Sequence, residues 1–97
     1  MTIMRLIDLL QLTNDLNDQI NIFLTVHQQI KPLAKLKISS SACLLYPGQK
    51  PMTKAKMTKL VKNLHGRNIP LYIIDQQEKI NVYGIQIVPE NNLVKLT

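Results

Sequence analysis

The 97-residue chain has no tryptophan, one phenylalanine, three tyrosines, three glycines and one cysteine. Each shortage excludes something. A single cysteine rules out an intrachain disulfide framework. Cys43 lies in Ala42-Cys43-Leu44-Leu45, apolar surroundings that keep a thiol protonated and inert. One cysteine and two distant histidines, His27 and His65, are too few for a metal centre, which needs three or four close ligands. A Cys43–His65–Asp75 nucleophilic set rests on residue type alone. The six carboxylates are scattered over turns and one helix face, unlike the facing pair that glycosidase-type chemistry needs. Three glycines leave little material for a lid or a deep pocket. The reading is therefore a non-enzyme with no catalytic residue, no metal and no cofactor.

No apolar run approaches the ~18–20 residues that span a bilayer. Arg5 and Asp8 interrupt the opening apolar stretch and no small-residue cleavage site follows, so a signal peptide is not expected. The chain is read as cytoplasmic and without a membrane role. At 45% hydrophobic and 19% charged residues it has the composition of a folded domain. Residues 1–97 are read as a single domain.

The charge is localised. The net value is +6, from 12 Lys+Arg against 6 Asp+Glu. Lys50, Lys54, Lys56, Lys59, Lys62 and Arg67 fall in one acid-free stretch, and positive and negative residues balance elsewhere. A patch of this kind favours an anionic partner. Ten of the twelve bases are lysine, which contacts phosphate as a hydrated point charge and does not read base edges bidentately as arginine does. The loop Pro47–Lys54 precedes a helix, where an anion can bind. It lacks the second glycine of a nucleotide phosphate loop, and Pro51 removes a donor.

Hydrophobic periodicity gives the elements. Ile3, Leu6, Ile7 and Leu10 follow the helical period, widened by Leu9, Leu12 and Leu16, and predict a helix over 3–13 with Thr2 as its cap. Ile20, Ile22, Leu24 and Val26 alternate as in a half-buried strand. Pro32 predicts a turn over 28–32. One bent strand or two short ones follow across 34–46, with a short helix at 32–37 as the competing reading. Met57, Leu60, Val61 and Leu64 predict a second helix, capped by Thr53 and stopped by Gly66, with Lys56, Lys59 and Lys62 opposite. Residues 69–97 read as a three-stranded meander, with Gly84 at a bulge. The order α-β-β-α-β-β-β implies an α+β fold, two helices against a small mixed or antiparallel sheet. If strands 41–46 and 69–75 are parallel neighbours, residues 41–75 form a βαβ crossover.

Two functional expectations follow. The first helix has more apolar positions than one sheet face covers, so Ile3, Leu6, Ile7 and Leu10 are candidates for self-association as a homodimer. An open edge at Leu93–Leu96 or at the Pro70 strand offers a second route. The alternative is sequence-neutral binding of a nucleic-acid backbone through Lys50, Lys54, Lys56, Lys59, Lys62 and Arg67. With 4% aromatics, a stacking platform for bases is not expected, and the three tyrosines read as ordinary strand packing. The opening, Met4–Leu10 to Asn17–Leu24, resembles small uncharacterised proteins of bacterial prophages. The resemblance covers about the first quarter of the chain and brings no functional residues. The leading expectation is a small homodimeric accessory module that engages a protein partner without catalysis.

Overall fold

A computed structural model describes residues 3–62 and 68–97. Among the described residues two short α-helices, α1 (Leu6–Leu12) and α2 (Lys54–Val61), accompany eight strands: β1 (Asn21–Val26), β2 (Gln29–Ile38), β3 (Cys43–Pro47), β4 (Met52–Thr53), β5 (Leu71–Asp75), β6 (Glu78–Asn81), β7 (Ile85–Val88) and β8 (Leu93–Leu96). The strands form one curled mixed sheet, a half-barrel, in the order β6-β5-β3-β2-β1-β8-β7, with β4 paired to β1. The expected α+β fold of two helices against a small sheet is thereby corrected to a strand-dominated one.

The sheet is larger than expected because of β2. Pro32 does not end an element. It sits inside β2 opposite Phe23, where the strand passes from β1 to β3. A proline lacks a donor, so a strand tolerates it where the pairing changes partner. The turn is confined to His27 and Gln28, both with positive φ. Just beyond Pro32, the β2–β3 register shifts between Leu33 and Lys35. This bulge lets Leu33, fully buried, and Leu36, packed on the core, both face inward although they are three residues apart. It also turns Lys35 and Lys37 outward, where both are exposed. Gly48 crosses the bulge so closely that a β-carbon there would lie 2.4 Å from the Ala34 Cβ.

The parallel alternative for strands 43–47 and 71–75 is the one formed, with Cys43 opposite Leu71 and Leu45 opposite Ile73. The expected C-terminal meander is not. β6 follows β5 through a turn at Gln76 and Gln77, but β6 and β7 end at opposite extremes of the strand order. Val82, Tyr83 and Gly84 carry the chain across, held by Tyr83 N–H and Gly84 N–H to the Thr97 carbonyl. β8 lies between β1 and β7, and β5 between β3 and β6, so neither strand expected to be an open edge is one.

Helix α1 is shorter than its periodicity suggests. Met4 and Arg5 belong to the sheet: Met4 N–H donates to the Val82 carbonyl, Leu71 N–H donates to the Met4 carbonyl, and Arg5 bridges Pro70. Arg5 is the N-cap of α1, and its N–H donates to Asp8 Oδ2 at 3.0 Å. The expected cap, Thr2, lies outside the described residues. α2 begins where expected, with Thr53 Oγ1 accepting from Lys56 N–H at 3.2 Å. Its expected stop, Gly66, is outside the described residues, as are Leu64 and His65. The core is one cluster joining Leu6 and Leu9 of α1, Met57 and Val61 of α2, and inward residues of β1 to β5 and β8. Leu60, expected in the α2 stripe, is 49% exposed.

Two side-chain pairs link the ends of the hairpins. His27 Nε2 lies 2.8 Å from Glu78 Oε1, and Lys31 Nζ lies 3.4 Å from Asp75 Oδ1. Both pairs join the β1–β2 hairpin to the β5–β6 hairpin.

Candidate functional site

Of the six basic residues singled out from the sequence, Lys50, Lys56, Lys59 and Lys62 are exposed. Arg67 lies outside the described residues. Lys54 belongs elsewhere. It is 9% exposed, and its Nζ donates to the Leu16 carbonyl at 2.7 Å and the Asn14 carbonyl at 3.0 Å. Asp18 Oδ1 stands 3.6 Å away. Lys54 therefore fastens α2 to the turn after α1 and is not a surface contact for an anion.

The start of α2 is also closed to anions. A helix N-terminus attracts them through backbone N–H groups that lack partners. Here Lys54 N–H donates to the Ile20 carbonyl, Ala55 N–H to the Asp18 carbonyl and Lys56 N–H to Thr53 Oγ1. The basic edge thus acts through side chains alone. Lys50 and Lys56 flank a shallow cleft of about 340 Å³ floored by Ala34, Pro51 and Met52. Ala34 belongs to β2, so the cleft lies between that strand and the start of α2.

The outer face of that sheet carries a second group of residues. Inward positions Cys43, Leu45, Leu71 and Ile73 are fully buried. Strand alternation therefore points Leu44, Tyr46, Tyr72 and Ile74 outward, and all four are half-buried. Register places Lys37 beside Leu44, Leu44 beside Tyr72, and Tyr72 beside Asn81. The next row has Lys35 beside Tyr46, and Ile74 beside Lys79. Lys79 Nζ lies 4.1 Å from the centre of the Tyr72 ring, and Lys35 Nζ 5.7 Å from that of Tyr46.

The acids explain why this face is positive. Asp18 stands by Lys54, Asp75 pairs with Lys31, Glu78 with His27, and Asp8 accepts from Arg5 N–H. Among the described residues, no ion pair holds Lys35, Lys37, Lys50, Lys56, Lys59 or Lys62. In the sequence the net charge gathers in the stretch Lys50–Arg67. Lys35, Lys37 and Lys79 lie outside that stretch, and only strand register brings them together.

The self-association residues separate. Leu6 is buried and Leu10 packs on the core, while Ile3 and Ile7 stay half-buried at the surface. The apolar surplus of α1 thus reduces to Ile3, Ile7 and Leu12. Ile3 and Leu12 line an open cleft of about 390 Å³ with Tyr83.

Cys43 is fully buried, and burial pushes its thiol up from 9.0 to about 12. The unfolded chain loses this proton first, so stability is untouched below pH 9 and declines as pH rises from about 9 to about 12. Native protein is expected to resist a thiol reagent at about pH 8 and to label fully in denaturant. Equal labelling rates in both states would contradict the burial.

No group of three or more metal-ligating side chains occurs among the described residues. No described helix is long and apolar enough to cross a membrane. No protein-family model, curated protein or solved structure matches the chain.

Proposed function

We propose that the protein binds nucleic acid through phosphate contacts and performs no chemistry on it. The observation that carries this reading is the gathering of Lys50, Lys56, Lys59 and Lys62, exposed and without an acidic partner among the described residues, along one edge. Lysines arranged in this way neutralise phosphates without reading sequence. An accessory role toward a protein partner is the leading expectation from the sequence. The loss of Leu6 and Leu10 to the core weakens its basis and leaves the charge as the stronger signal.

The test is binding of a labelled, mixed-sequence DNA by the full chain and by the triple variant Lys56→Glu, Lys59→Glu, Lys62→Glu. Three reversals are expected to weaken binding by about a hundredfold or more at low salt, with melting temperature little changed. Undiminished binding by the folded variant would overturn the role of this edge.

A further inference from the structure

The outer sheet face is chemically different from the α2 edge. It offers two aromatic rings as well as ammonium groups. Tyr46 is two residues beyond Leu44, and Leu44 pairs with Tyr72 across parallel strands. A strand spacing of ~4.8 Å and a rise of ~3.3 Å per residue place the two tyrosine positions roughly 8 Å apart on a diagonal. Both rings are half-buried, so their positions are held by the sheet while an outer surface remains open. Lys35, Lys37 and Lys79 border them, and neither row of this face contains an acid. The nearest acids in sequence, Asp75 and Glu78, are held on Lys31 and His27.

We infer that this face is a platform for single-stranded nucleic acid, with successive bases on Tyr46 and Tyr72 and the adjoining phosphates on Lys35, Lys37 and Lys79. The inference rests on the nucleic-acid reading above and adds a strand preference and a second surface to it. Each ring now carries an ammonium group at its face. A lysine stem turns freely, so the ammonium moves to a phosphate as a base takes its place on the ring. An acidic peptide would use the three lysines but leave the rings without a role. A duplex keeps its bases stacked inside and cannot offer them to the rings. A single strand uses both features, because every base has a face to stack.

The test uses the full chain with a labelled oligothymidylate and a duplex of equal length. The parent is expected to bind the single strand about tenfold more tightly than the duplex. The variant Tyr46→Leu, Tyr72→Leu is expected to lose about tenfold per ring on the single strand and nothing on the duplex, while Tyr46→Phe, Tyr72→Phe keeps both. With no tryptophan in the chain, tyrosine emission in the parent reports the contact directly and is expected to quench on adding oligothymidylate. If the leucine variant fails to fold, Lys35→Gln, Lys37→Gln, Lys79→Gln alters only exposed lysines and is expected to weaken single-strand binding in the same way. Equal affinity for both ligands without quenching would overturn the platform and leave the α2 edge as the binding surface. No binding of either ligand would overturn both.

Discussion

Gly48→Ala is expected to destabilise the protein by about 2–3 kcal/mol, the upper range for forcing an extra carbon into a packed site. The new β-carbon would stand 2.4 Å from the Ala34 Cβ. That atom sits directly on the backbone, so no rotamer change moves it aside. Relief requires β2 to move at its bulge, where it passes from one sheet partner to the other. The hydrogen bond from Gly48 N–H to the Pro32 carbonyl, 3.0 Å, resists that movement. Removing the opposing atom gives the control. Ala34→Gly alone is expected to cost about 0.5–1 kcal/mol. Combined with Gly48→Ala it is expected to restore part of the loss, since the next nearest atom, the Ala34 Cα, is 3.9 Å away. Denaturant midpoints of the four proteins measure the coupling. Strict additivity would show that the close approach is not what selects glycine.

Lys54→Met is the second large effect, a loss of about 2–3 kcal/mol. Methionine keeps most of the apolar stem and removes the ammonium group. The Asn14 and Leu16 carbonyls then lose a charged donor at 3.0 and 2.7 Å. Hydrogen bonds to charged groups contribute about 1.5–3 kcal/mol, and part-buried carbonyls left unpaired add to the loss. The exposed Lys56→Met is expected to change stability by less than about 0.5 kcal/mol. Binding should invert that order. Lys56→Met weakens affinity for DNA, while Lys54→Met, measured where it is folded, leaves the salt dependence intact. Equal stability of the two variants would contradict the structural role of Lys54.

These two residues mark where the sequence stops being readable. Local signals carry well. The alternation Ile20, Ile22, Leu24, Val26 becomes β1 and its buried neighbour, and Thr53 caps α2 as its position before the lysine-rich stretch suggests. Non-local geometry does not carry. Pro32 reads as a breaker because only pairing on both sides shows that β2 changes partner there. The Leu33–Leu36 spacing looks irregular until the bulge explains it. Met4 and Arg5 continue a helical pattern in sequence, yet Val82 and Leu71 draw their backbone into the sheet. Lys54 is indistinguishable from Lys56 by residue type, and only the turn after α1 makes it a buried residue.

The candidate site divides in the same way. The α2 lysines are legible because they lie within one acid-free stretch. The sheet face is not, because Lys35, Tyr46, Tyr72 and Lys79 come from four strands whose order follows from a parallel crossover. Read singly, each tyrosine is ordinary strand packing. Placed in register, two of them share a face bordered by lysines whose sequence neighbours Asp75 and Glu78 are occupied elsewhere.

The central claim, that the exposed lysines bind the backbone of a nucleic-acid strand, is tested most directly by a salt titration. The affinity of the full chain for oligothymidylate is measured from about 50 to 200 mM salt. Four to seven phosphate contacts give a log–log slope of about −3 to −5. That slope is the expected result. No association at about 50 mM salt, or an affinity indifferent to salt, would contradict it.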